Sequence, residues 1–152
     1  IYVSTITEKS VQDTSKVRTV LECMAIDSAS FPLSEAKLQE LERIDREQHE
    51  LIASHPEDNL RFAELDKEFH CAIAECCDNA SLIEFIQNIN NVMVRINVLS
   101  GTLPQNRQDA LIEHENIIAF LKKRQREFAK VALSEHLKHV EERMLSESKK
   151  ER

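Results

Sequence analysis

Glycine and proline are scarce in this chain: one Gly and three Pro among 152 residues. Folds built on many tight turns draw on both residue types, so an all-β or α/β architecture is not expected. No apolar run is long enough to cross a bilayer, and the N-terminus carries no signal-peptide pattern. Positive charge is also in short supply. Twenty basic against 27 acidic side chains give a net charge of −7, a balance that repels phosphate and makes this piece a poor direct grip on nucleic acid. Cysteine is limited to Cys23, Cys71, Cys76 and Cys77. They lie inside apolar-periodic segments, and the adjacent pair does not suggest a disulfide framework. Reduced thiols in a cytoplasmic protein are expected.

What is present fits helices. Apolar residues make up 41% of a chain of single-domain length, with abundant Leu, Glu, Lys, Ala and Arg. Residues 1–16 differ from the rest. Ile1-Tyr2-Val3-Ser4-Thr5-Ile6 reads as the remnant of a strand, and Thr7 to Lys16 as a linker, so the main domain is expected over 17–152. Val17, Val20, Leu21, Met24 and Ser28 mark a first helix to about Phe31. Ser34 caps a second, with Leu38, Leu41, Ile44, Gln48 and Leu51 on one face. Pro56 opens a third carrying Leu65, Phe69, Ile73 and Cys76, and Asn79 either stops it or caps the next. A fourth runs from about Leu82 to Leu99, with Gly101 at its end. Pro104 starts a fifth through Leu111, Ile118 and Leu121, and a sixth carries Phe128, Ala132, Leu137, Val140 and Met144.

Polar residues set into these apolar faces carry the chemistry. Asp66 and His70 stand one turn apart on the third helix and project from one face. His114 lies between Leu111 and Ile118, and His136 between Ala132 and Val140. One carboxylate and three imidazoles from three helices suit Zn²⁺ or another first-row divalent ion, provided they meet inside a bundle. Hydrogen-bonded core histidines are the competing reading. Cys71 and Cys77 offer a rival His/Cys ligand set, against which stands the ordinary role of a buried, inert thiol. His49, His55 and His139 sit in polar surroundings and are expected at the surface. Arg18 opens the first helix and Arg95 falls in the very apolar fourth; a guanidinium near a bundle interior requires an anion: an Asp, a Glu or the carboxylate of a ligand. An internal salt bridge or a snorkelling side chain would serve equally well.

A resemblance runs through these same positions. Val17-Arg18-Thr19-Val20-Leu21-Glu22, Leu65-Asp66-Lys67-Glu68-Phe69-His70, Asp78-Asn79, Glu113-His114-Glu115-Asn116-Ile117-Ile118 and Ala132-Leu133-Ser134-Glu135-His136-Leu137 occur in order, with 22 positions between His114 and His136. From about Lys16 to Leu145 the sequence resembles the FCD domain, the C-terminal effector domain of FadR-type GntR regulators. The resemblance implies an all-α antiparallel bundle of six to seven helices that forms a homodimer and binds a small organic acid. In its metal-containing branch the ion, Zn²⁺ foremost and Ni²⁺ or Mn²⁺ as alternatives, would be held by Asp66, His70, His114 and His136. Arg18, and less directly Arg95, would meet the effector carboxylate. Ile1 to Ser4 resembles the last wing strand of a winged helix-turn-helix domain, through which alone DNA would be contacted. The turn Arg124-Gln125-Arg126-Glu127 departs from the Gly-Asp common there.

Two other functional classes are open to the same residues. A metal-dependent hydrolase would need a general base beside the ion-bound water, and Glu113 is the evident candidate. It adjoins His114 and should point about 100° away from it. A purely structural bundle would use the histidines for core hydrogen bonds.

Overall fold

A computed structural model describes residues 6–100 and 104–150. Those residues form six helices: α1 (Glu8–Ser28), α2 (Glu35–Ser54), α3 (Asn59–Ala74), α4 (Ala80–Ser100), α5 (Pro104–Lys122) and α6 (Arg126–Lys150). The all-α expectation holds. Short connections at 55–58, 75–79 and 123–125 fold each helix back on its predecessor, and α2–α3, α3–α4 and α5–α6 are packed pairs. Helix α1 closes the arrangement by packing on both α4 and α6, while α2 packs on α5. The helices thus form a ring in the order α1–α4–α3–α2–α5–α6, and α1 also reaches across to α3.

Helix α1 starts earlier than the sequence suggests. Residues 8–16, expected as linker, are its first turns; the expected strand lies, apart from Ile6, outside the described residues. The start is fixed by a reciprocal cap, in which Thr7 Oγ1 accepts from Ser10 N–H and Ser10 Oγ accepts from Thr7 N–H, each at 3.0 Å. Val11 then packs with Met93, Ile96 and Met144. The buried stripe of α1 is Val11, Ser15, Arg18, Glu22, Ala25 and Ile26. The more apolar positions Val17, Val20 and Met24 face outward. Polar groups occupy the inner stripe because it packs on the charged centre described below.

Other boundaries follow local chemistry. Ser34 caps α2 as expected, whereas Asp58 rather than Pro56 sets the start of α3. Asn79 belongs to the next helix, its Oδ1 accepting from Leu82 N–H at 3.0 Å. Helix α5 ends with Arg124 in the left-handed region (φ 60°), the Gln125 N–H returning to the Phe120 carbonyl at 3.0 Å. The main core joins Ile26, Leu41, Ile44, Phe69, Ile73, Ile117, Leu121, Leu133 and Leu137. A second cluster, Val11, Met93, Ile96 and Met144, lies apart from it.

Candidate metal and effector site

Helix α3 carries Asp66 and His70 one turn apart, α5 carries His114 and α6 carries His136. The structure brings all four together as buried residues. His114 Nε2 lies 3.2 Å from His136 Nε2, which lies 3.3 Å from His70 Nε2. Asp66 Oδ1 is 3.4 Å from His114 Nε2 and 3.7 Å from His70 Nε2. The ring of His114 stacks on Phe69 with centroids 3.9 Å apart, which seats the cluster on the main core.

Each imidazole is anchored through its other nitrogen. His70 Nδ1 lies 2.5 Å from Glu22 Oε1, His136 Nδ1 2.9 Å from Glu113 Oε1, and His114 Nδ1 3.1 Å from Gln48 Oε1. For Glu22, burial opposes ionisation, but His70 and Arg18 outweigh it and hold the pKa below the ordinary value. Burial likewise opposes ionisation at Glu113, where His136, His139 and Arg143 prevail. Ionised carboxylates only accept hydrogen bonds, so the Nδ1 atoms of His70 and His136 donate. In a neutral ring the Nε2 atom then carries a lone pair, and here two such atoms face one another at 3.3 Å beside the Asp66 carboxylate. That arrangement is repulsive unless something positive stands between them.

The spacing fits an ion. Tetrahedral ligands about 2.0–2.1 Å from zinc stand about 3.4 Å apart; four of the donor pairs here are 3.2 to 3.7 Å apart, and all four donors lie within 4.8 Å of one another. At Asp66 burial works against charge, yet His70, His114 and Arg18 hold the pKa well below normal. Burial lowers His114 and takes His136 down to about 3, so both rings stay neutral and able to donate a lone pair.

The thiols are elsewhere engaged. Cys77 Sγ donates to the Ala74 carbonyl at 3.1 Å and Cys76 Sγ to that of Ala72 at 3.5 Å, and all four cysteines are free. Burial pushes the Cys71 and Cys76 thiols up to about 11. Neither is poised to ligate or to react as a thiolate.

The two arginines singled out from the sequence part company. Arg18 is 1% exposed, bonds Glu22 Oε2 through Nε at 2.7 Å, and brings Nη2 to 3.9 Å from Asp66 Oδ2. That Nη2 is buried without a hydrogen-bond partner. Arg95 is exposed on α4 and does not line the cavity that reaches Asp66. The cations of that cavity are Arg107 and Arg143, accompanied by Asn97 and Asn106 and by apolar walls from Phe62, Val140 and Met144. Its volume is about 40 Å³. Arg107 stands seven residues before His114 and Arg143 seven after His136, so each shares a helix face with a histidine of the cluster.

Glu113 lies behind His136 rather than inside the cluster. It also accepts from His139 Nδ1 at 2.6 Å and from Arg143. It holds a ring and is not placed to act as base toward an ion-bound water. His49, His55 and His139 are exposed, as expected.

Residues 13–139 match the FCD domain model; the chain belongs to the FCD family. The uncharacterised HTH-type transcriptional regulator YdhC of Bacillus subtilis (strain 168) is 27% identical over 91% of this chain and 64% of its own length. The HTH-type transcriptional repressor RspR of Escherichia coli (strain K12) is 26% identical over 93% of this chain and 61% of its own length. The chain therefore spans somewhat over six-tenths of these relatives. The metal-free FCD domain of TM0439 shares the fold with a TM-score of 0.74 at 20% identity, covering 97% of this chain and 99% of that one. A Streptococcus agalactiae GntR protein does so at 0.72 and 20%, over 92% and 62% respectively.

Proposed function

We propose that this domain is the effector-sensing and dimerisation part of a transcription regulator, and that it binds a small carboxylate at a divalent ion held by Asp66, His70, His114 and His136. The observation that carries the reading is the set of inward Nε2 atoms, each on a ring whose Nδ1 is held by Glu22, Gln48 or Glu113. Metal-ligating histidines are commonly fixed in this way, and mere core histidines have no need of converging lone pairs. An ion held by these four donors would supply Lewis-acid attraction for a carboxylate oxygen, and would have to expand beyond four-coordination to accept it. Zn²⁺, Ni²⁺ and Mn²⁺ all suit the donor set.

The chain's own residues select the ligand. Asp66 belongs both to the cluster and to the cavity wall, so a molecule in the cavity can reach the ion. Arg107 and Arg143 neutralise an acid there, and Asn97 and Asn106 offer hydrogen bonds to hydroxyl or further carboxyl groups. The unpartnered Nη2 of Arg18 faces Asp66 from the α1 side. DNA binding is assigned to a winged-helix domain preceding this one, in keeping with the names of the relatives. No helix among the described residues is long and apolar enough to cross a membrane. A cytoplasmic setting suits the four free thiols.

Elemental analysis tests the reading. Purified wild-type protein should carry about one divalent ion per chain in this centre, lost when His114→Ala is combined with His136→Ala. Failure to take up metal after chelation and refilling would refute the ion, and the effector would then rest on the arginines and asparagines alone.

A further inference from the structure

We propose a second cation site, on the outer flank of the α2–α5 contact, formed by Asp45, His49 and Glu115. It does not depend on the inner cluster. Asp45 and His49 stand one turn apart on α2, and α5 brings Glu115 against them. His49 Nε2 lies 2.7 Å from Glu115 Oε1 and 3.7 Å from Asp45 Oδ2, and one donor atom from each residue falls within 4.8 Å of the others. This is a carboxylate–imidazole–carboxylate triad whose 2.7 Å contact is a hydrogen bond that an ion taken up between the three donors would replace.

A further observation points to a missing positive partner. Asp45 Oδ1 is buried and has no hydrogen-bond partner, although the Asp45 side chain belongs to a largely exposed group. Two carboxylates sharing one imidazole are short of positive charge, and a divalent ion supplies it. Asp45 is 16% exposed in its side chain, against 47% for His49 and 51% for Glu115. An ion can therefore enter from solvent without opening the fold, with water completing its shell. One imidazole and two carboxylates suit Zn²⁺ and its neighbours, more weakly than the four-donor inner set.

The location gives the site a consequence. Gln48 precedes His49 and His114 precedes Glu115 in the chain, and Gln48 Oε1 is the partner of His114 Nδ1 at 3.1 Å. An ion on the outer triad ties together the two backbones that carry this pair.

Zinc alone is the probe, followed by equilibrium dialysis with elemental analysis on wild type, His49→Ala, Glu115→Gln and the combined His114→Ala, His136→Ala protein. A weaker zinc ion should bind wild type and the inner-site double variant. In His49→Ala and Glu115→Gln its affinity should fall by more than about tenfold, the loss already typical when an outer partner of a metal ligand is removed. Both substitutions are at exposed helix positions, and unchanged melting curves without metal would establish that they fold. A weaker ion that persists in His49→Ala, or wild-type and His49→Ala isotherms that coincide, overturns the proposal. Should the inner site fail instead, wild type would still bind the ion that His49→Ala abolishes.

Discussion

His114 and His136 are wholly enclosed, and loss of hydration holds both rings toward the neutral form. This has a signed consequence for metal-free protein. An unfolded chain takes up protons on these histidines as pH falls past the ordinary value of 6.5, whereas folded His136 resists until about 3. The unfolded state then binds more protons, so stability is complete above pH 6.5 and drains away as pH falls toward 3. Glu22, Glu113 and Asp66, all held ionised by their partners, add losses of the same sign below their ordinary values. The urea midpoint of chelator-treated protein should fall steadily from neutral pH to about pH 5; a flat profile would show that the rings are not buried in neutral form. The four centre residues can be picked out of the sequence because each is a polar group on an apolar helical face. Gln48 carried the same signal, lying in register with Leu41 and Ile44. Glu22 and Glu113 did not, since a charged residue on a helix is ordinarily solvated and only tertiary packing makes them ring anchors. Arg107 and Arg143 were recoverable from their seven-residue spacing to the histidines, a step beyond inspecting each helix alone.

Helix ends are legible in the sequence where side-chain caps decide them, as at Ser34, and less so where the cap competes with a proline, as at Asp58. Helix α1 starts earlier than its sequence suggests for a physical reason. Its inner stripe contains Ser15, Arg18 and Glu22, so the strongest apolar spacing, Val17, Val20 and Met24, marks its outer face. The α5 terminus gives an independent prediction. Arg124 holds φ at 60°, a conformation that costs a residue with a Cβ about 1–2 kcal/mol and glycine almost nothing. Glycine gives back about 0.4–1 kcal/mol through the greater freedom of the unfolded chain. Arg124→Gly should therefore stabilise the domain by about 0.5–1 kcal/mol, read as a higher urea midpoint with an unchanged slope. A lower midpoint would mean that the exposed Arg124 side chain contributes contacts of its own.

The outward apolar residues bear on how whole molecules meet. Val17, Val20 and Met24 on α1 are 52%, 61% and 45% exposed, and Phe128 and Val131 on α6 are 59% and 55% exposed. The two helices are packed together, with Lys130 Nζ meeting Asp27 Oδ1 at 2.8 Å. If the domain dimerises as proposed above, these exposed apolar residues are expected at the contact. Sedimentation should find wild type as a dimer and Val20→Asp combined with Val131→Asp as a folded monomer; dimers from both proteins would place the contact elsewhere.

Val11, in the opening turns of α1, packs against Met144, and Met144 is also a wall of the cavity that reaches Asp66. The pocket and the head of the chain therefore share a partition one side chain thick. An occupant that displaced Met144 would press on the opening turns of α1, so this wall is suited to act as a lever between the cavity and the start of that helix.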